Sequence, residues 1–201
     1  YFTFDSETQT ITGYDIAGGL DVVIPQTIGG KQVLHIGGNA FGAIIGSLPE
    51  EKITSVVLPE GLLTIKEGVF INGAFSHNSI TELLIPDSVI SIGGMAFYYN
   101  SLTELSVPNS VTTIGNGAFF FNPIKRAFLP DNVTVGVGAG TLGNYGLKDF
   151  YLANNRLAGE YIYNTQTETW SFIPLQLFYF EHQDDLTKGE FDNVVVIDNE
   201  L

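Results

Sequence analysis

One phrase ending in proline occurs three times at a fixed interval, and that interval restricts what this chain can fold into more than any other feature. Ile80-Thr81-Glu82-Leu83-Leu84-Ile85-Pro86 returns as Leu102-Thr103-Glu104-Leu105-Ser106-Val107-Pro108 and again as Ile124-Lys125-Arg126-Ala127-Phe128-Leu129-Pro130, so the prolines are 22 residues apart. Ile-Gly follows the first two prolines (Ile92-Gly93, Ile114-Gly115), and Ala-Phe follows that (Ala96-Phe97, Ala118-Phe119). Asn78, Asn100, Asn122 and Asn144 keep the same 22-residue step. A short fixed period with apolar residues at fixed offsets is the signature of a solenoid, where each unit buries its apolar side by stacking on the next.

Composition agrees and removes several function classes. Of 201 residues 44% are hydrophobic and 15% charged, which is enough for a continuous core and unlike a disordered chain. The formal net charge of −14 argues against nucleic acid, whose phosphates need a basic footprint, and against an anionic membrane surface. No apolar run approaches the roughly 20 residues of a membrane helix. The absence of cysteine excludes disulfides and thiolate metal sites. The chain opens on Tyr1 without a basic and apolar leader, so it reads as a processed or excised piece whose signal peptide or anchor would lie outside it.

Taken in order, residues 1–19 read as a terminal β cap, with Tyr1-Phe2-Thr3-Phe4 and Thr10-Ile11-Thr12-Gly13-Tyr14 forming a hairpin about Asp5-Ser6-Glu7. Residues 20–153 read as the solenoid. Its first unit runs from Leu20-Asp21-Val22-Val23-Ile24-Pro25 to Ile36-Gly37-Gly38-Asn39-Ala40-Phe41, with added length at Gly29-Gly30-Lys31 and between Gly42 and Glu51. Ile53-Thr54-Ser55-Val56-Val57-Leu58-Pro59 opens the second unit, where Val69-Phe70-Ile71-Asn72-Gly73 duplicates the turn before Ala74-Phe75. Insertions that keep the period belong in loops. The pattern decays at Val135–Leu142, and Leu147-Lys148-Asp149-Phe150-Tyr151-Leu152 is expected to be a last strand. Residues 154–201 read as the second β cap and an acidic tail. Gly159–Tyr163 and Glu168–Phe172 form a hairpin, Leu175–Phe180 adds a strand, and residues 181–201 carry seven acidic residues and one lysine.

Within each unit the last two apolar positions are two apart, so they point to the core from one side of a strand while the residues between face outward. Proline, lacking an N–H, suits the strand end. Ala-Phe places a large ring beside a small partner in every layer. The period-22 asparagines are expected to form a structural ladder, each amide bonding backbone groups that a buried turn leaves unpaired.

The units Ile85-Pro86-Asp87-Ser88-Val89-Ile90-Ser91-Ile92-Gly93 with Ala96-Phe97, and Val107-Pro108-Asn109-Ser110-Val111-Thr112-Thr113-Ile114-Gly115 with Ala118-Phe119, resemble the BspA-like, or Treponema-type, leucine-rich repeats of bacterial surface proteins. Asp21–Pro25 with Ile28-Gly29-Gly30 is similar to that family's opening repeat. The position after Ala-Phe-x-x is often Cys in the family and is Asn here. The resemblance implies a β-rich, α/β-type repeat solenoid: a right-handed leucine-rich-repeat superhelix of about five coils with a parallel concave sheet. It also implies an exported or surface-attached bacterial protein that binds other macromolecules, in some relatives host matrix proteins. Family membership fixes a scaffold and not a ligand.

Candidate chemistry is thin. The outward stripe gives Val23, Val57, Leu84, Ser106, Phe128 and Tyr151, flanked by Lys125-Arg126 and Lys148-Asp149 among others. Large apolar groups with Arg and Lys are the composition of interface hot spots, so Leu84, Lys125, Arg126, Phe128, Lys148 and Tyr151 are the candidate partner-binding residues. Against this, the C-terminal segment could fold over that end and bury the rings. Tyr98-Tyr99 and Phe120-Phe121 follow Ala-Phe in successive units and are candidate glycan-stacking residues, or else rings covering the solenoid edge. Gly138-Ala139-Gly140-Thr141-Leu142-Gly143 fits G-x-G-x-x-G, but no βαβ unit surrounds it. His35, His77 and His182 form no metal pair. Glu181-His182-Gln183-Asp184-Asp185 reads as a solvated acidic segment, and Asn132-Val133-Thr134 is a glycosylation sequon by pattern only. No nucleophile–base pair can be assembled, so neither catalytic nor metal residues nor cofactors are expected. The expected function is a non-enzymatic, extracellular or cell-surface protein-binding module, expected to be monomeric. A carbohydrate-binding module using the turn aromatics, or a structural spacer, are the alternatives.

Overall fold

The structure, a computed structural model, describes residues 1–43, 51–68, 72–131, 133–138, 140–143 and 146–174. Expectations for Val69–Ile71, Asn132, Asn144, Leu175–Phe180 and residues 181–201 lie outside the described residues.

The chain forms a β-rich solenoid with little helix. Its strands are β1 (Phe2–Asp5), β2 (Thr10–Tyr14), β3 (Asp21–Val23), β4 (Thr27–Ile28), β5 (Lys31–Gln32), β6 (His35–Ile36), β7 (Ser55–Val57), β8 (Thr64–Ile65), β9 (Ser91–Ile92), β10 (Glu104–Ser106), β11 (Thr113–Ile114), β12 (Arg126–Leu129), β13 (Thr134–Val135), β14 (Gly159–Asn164) and β15 (Thr169–Pro174). Among the described residues one α-helix, α1, spans Leu147–Ala153.

The longest sheet is built on the Ile-Gly segments. It has seven strands in the order β1-β2-β6-β8-β9-β11-β13, and the last five mark about five turns of the solenoid. From β2 onward every pairing is parallel, with Ile11, Ile36, Ile65, Ile92, Ile114 and Val135 in one register column. Each of these strands is two residues long from β6 onward because glycine or lysine follows at once and the coil turns away. At Gly115 an added Cβ would lie 2.3 Å from Gly94 N, so only glycine lets neighbouring coils approach this closely.

The proline-terminated segments form the opposite face, in two pieces. β3 pairs with β7, and β10-β12-β14-β15 make a separate sheet. Ile80–Ile85, between the pieces, carries no strand assignment, although Ser79 N bonds Ile53 O and Ser101 N bonds Ile80 O at 2.9 Å each.

The third edge is the Ala-Phe turn. Phe41, Phe75, Phe97 and Phe119 stack in line, with centroids 4.8, 5.2 and 5.4 Å apart and interplanar angles falling from 15° to 4°. Burial of such a ring in every coil supplies a large share of the apolar area removed from water. Backbone bonds run between coils here too: Phe41 N to Ala74 O, Phe75 N to Ala96 O and Phe97 N to Ala118 O, at 2.7–2.8 Å.

Beside the ring stack runs the asparagine ladder. Asn78, Asn100 and Asn122 are buried; their Oδ1 atoms accept from Ile53 N, Ile80 N and Leu102 N of the preceding coil at 3.0–3.1 Å. Their Nδ2 groups donate to the phenylalanine carbonyls of their own coil and the preceding one: Asn78 to Phe75 and Phe41, Asn100 to Phe97 and Phe75, Asn122 to Phe119 and Phe97. Each amide thus serves at least three backbone groups that the turn leaves unpaired.

The end of the solenoid corrects one expectation. Leu147–Leu152 is not a strand but most of α1, and a short apolar run supports either reading by pattern alone. Gly146, at φ 74°, lets the chain reverse into the helix. Leu147 and Tyr151, one turn apart, are then buried, and the Tyr151 hydroxyl donates to Pro130 O at 2.7 Å. The place beside β12 that a further parallel strand would fill is taken by β14, which pairs antiparallel and continues into the β14–β15 hairpin. At the other end the β1–β2 hairpin joins the seven-stranded sheet through β2. Its turn is held by Asp5, whose carboxylate accepts from Glu7 N, Thr8 N and Thr8 Oγ1; these bonds hold it below the usual carboxylate range.

Candidate partner-binding faces

The proline-terminated segments present their outward column to solvent. Val23 and Val57 are paired in register and are 67% and 56% exposed, and Leu84 at the equivalent position is 79% exposed. Ser106 continues the column, and Phe128 beside it is half-buried. One position earlier on the same side lie Asp21, Ser55, Glu82, Glu104 and Arg126, all exposed.

Arg126 is engaged by its own chain. Its guanidinium donates to Glu160 on β14, lies 3.9 Å from Glu104 on β10 and sits over the Phe128 ring, 5.0 Å from the centroid. The Glu160 bond, with its charge, raises the Arg126 pKa further. Arg126 and Phe128 therefore join three strands of the sheet, and Lys125 is the exposed cation next to them.

Lys148 and Tyr151 do not lie on this face, because both belong to α1. Lys148 is buried, with Nζ donating to Val137 O at 2.6 Å and Gly138 O at 3.2 Å, so its charge is spent on the carbonyls of the decayed turn. Tyr151 is fully buried against Tyr161, and burial raises the pKa of both phenols. The six expected partner-binding residues thus divide into four on the surface and two in the core.

The aromatic turn is the second face. Tyr99 and Phe121 are 51% and 45% exposed, while Tyr98 and Phe120 are half-buried. Sequence reasoning missed that His77 belongs with them: it stacks on Tyr99 at 5.6 Å and 20°, and Tyr99 meets Phe121 at 5.7 Å and 59°. The signal was present, since His77, Tyr99 and Phe121 keep the 22-residue step. All three have left-handed backbone, with φ of 61°, 56° and 57°, where a bulky side chain is uncommon; the equivalent position one coil on is Gly143. The rings stack mainly on one another, Phe120 on Phe121 at 4.2 Å and 14°. Burial, and then Lys52, lower the His77 pKa, and its Nδ1 has no hydrogen-bond partner among the described residues.

Among the described residues no group of His, Cys, Asp and Glu is placed to hold a metal, and no helix is long and apolar enough to cross a membrane.

The repeat geometry is matched by an independent comparison: the family described as BspA type leucine-rich repeat region fits in six copies across residues 47–169. The chain belongs to the BspA-type leucine-rich repeat family. The match begins after the first unit, although β3 and β6 of that unit pair with β7 and β8 like any later coil. It extends through α1 and into β15, beyond the last proline-terminated segment. Among solved structures the chain is similar to a leucine-rich repeat protein from Bacteroides ovatus, with 21% identity and a TM-score of 0.40, over 69% of this chain and 40% of that one. The chain therefore spans well under half the length of that protein. No curated protein matches it.

Proposed function

We propose that this chain is a non-enzymatic, extracellular bacterial surface module of the adhesin kind. It recognises protein partners through the proline-terminated face of a right-handed coil whose two hairpins act as caps. The family supports an interaction module at the bacterial surface. The observation that carries the choice of face is the exposed column of Val23, Val57 and Leu84. Aliphatic side chains this exposed, in one line across neighbouring coils, mark an interaction surface more often than scattered single residues do. Arg126 and Phe128 contribute as a preformed edge, because their mutual stacking and the Glu160 bond hold them in place before any partner arrives.

A second reading places neutral polysaccharide on the aromatic turn, favoured by the half-exposed Tyr99 and Phe121 at strained backbone positions. One panel separates the two, with extracellular-matrix proteins and polysaccharides immobilised side by side. Saturable capture by a protein, lost on Leu84→Asp and kept on Tyr99→Ala, supports the first reading. Capture by glycans alone, lost on Tyr99→Ala, replaces it with the second. Silence across the panel leaves a structural spacer.

A further inference from the structure

The cations that the sequence places on the binding face are largely consumed inside the molecule: Arg126 by Glu160 and Glu104, and Lys148 by the carbonyls of Val137 and Gly138. The face they leave is apolar and acidic. On one side of the Val23–Val57–Leu84 column lie Asp21, Glu82 and Glu104, in a row whose other members are Ser55 and the ion-paired Arg126. On the other side, one residue past Pro59, Pro86 and Pro130, lie Glu60, Asp87 and Asp131, all exposed, with Gln26 and Asn109 at the same position in the remaining coils.

These rows are in register. Glu82 and Glu104 hold the same position in adjacent coils, which the asparagine ladder fixes through Ile80 N to Asn100 and Leu102 N to Asn122. Glu60 and Asp87 are likewise neighbours, since Gly61 N donates to Ser88 Oγ at 3.0 Å. Like charges at adjacent strand positions, about 4.8 Å apart, are destabilising. Asp21 is held ready as an anion, accepting from Thr54 Oγ1 at 2.9 Å and Ser55 Oγ at 2.8 Å. An apolar stripe flanked by exposed carboxylates, of which only Glu104 is ion-paired among the described residues, is incomplete electrostatically, and a cationic partner completes it. A second copy of this chain, also at −14, repels it.

Resting on the protein-binding reading above, we propose that the face takes an extended cationic segment of its partner. Lysines or arginines of that segment reach the acidic rows, while its apolar side chains settle on Val23, Val57 and Leu84. The carboxylates flank the apolar column, so an extended segment that carries both long cationic and apolar side chains meets both features at once.

The test uses the whole chain and two synthetic peptides, one alternating lysine with leucine and one alternating glutamate with leucine. The lysine peptide is expected to bind, with affinity falling as salt rises, and the glutamate peptide to stay free. Neutralising the rows with Glu60→Gln, Glu82→Gln and Asp87→Asn together should weaken the lysine peptide on the order of tenfold. Neutralising Glu7, Glu67 and Asp149, which lie off this face, should leave affinity unchanged. Equal losses for the two triple variants would mean that net charge alone attracts the peptide, and would overturn the proposal, as would no loss in either. A matrix protein released by Leu84→Asp but indifferent to the row variant would refute the cationic partner while leaving the binding face standing. Indifference to Leu84→Asp would remove the face itself.

Discussion

Replacing Asn122 by alanine isolates the contribution of one ladder rung. Asn122 is fully buried. Its Oδ1 accepts from Leu102 N at 3.1 Å, and its Nδ2 donates to Phe97 O at 2.8 Å and Phe119 O at 2.9 Å. Phe97 O also accepts from Asn100, so it keeps a donor in the variant. Leu102 N and Phe119 O have no other hydrogen-bond partner among the described residues, and both become orphans in a dry turn. A buried orphan costs about 1–3 kcal/mol, so the pair predicts a loss of about 3 kcal/mol once partial relaxation is allowed. That is a large part of the roughly 5–15 kcal/mol that holds a domain together. Urea unfolding followed by circular dichroism reads it directly: with a slope near 2 kcal/mol/M the midpoint falls by about 1.5 M. Asn122→Asp should be at least as damaging, because a carboxylate can still accept from Leu102 N but cannot donate to either carbonyl and would be buried charged. If Asn122→Ala loses less than about 1 kcal/mol with the slope unchanged, the amide is not satisfying buried backbone groups and the account of the ladder is wrong.

Two further outcomes follow from the same geometry. The folded state depresses the pKa of both His35 and His77 below 6.5 through burial, so the unfolded chain binds more protons once the pH falls through that value. Their contribution is present above pH 6.5 and lost below it; the melting temperature should therefore fall from pH 7 to pH 5, and His35→Gln with His77→Gln should flatten that slope. Gly73→Ala places a Cβ 1.8 Å from Met95 O, which forces two coils apart and should destabilise by several kcal/mol; calorimetry showing a shift under about 2 °C would contradict the packing.

The 22-residue period was enough to identify stacking coils and the residues that line them. Leu105, Val107, Ile114 and Phe119 are buried where the pattern places them, and the Ala-Phe rings stack one per coil. Periodicity reports which side of the chain must be hidden, and a solenoid has only one interior in which to hide it. The same pattern did not show that the Ile-Gly segments carry the longest sheet, since two residues are too few to register as a strand in a sequence. It also misplaced Tyr151 and Lys148, because Leu147–Leu152 satisfies strand and helix spacing alike and the antiparallel β14 claims the sheet position instead.

Burial and charge pairing explain why the site was less legible than the fold. A column of basic and aromatic letters reads as a hot spot, yet whether Arg126 is available depends on Glu160, 34 residues further along the chain, reached only when β14 docks on β12. Likewise the acidic rows exist because coils of unequal length, 27 residues from Glu60 to Asp87 and 22 from Glu82 to Glu104, are brought into one register by Ser88 and the asparagines. Local repetition is written residue by residue, so the scaffold and its core are readable from the chain alone. Which side chains remain free to meet a partner is settled by contacts between distant segments, and those form only when the coil closes on itself.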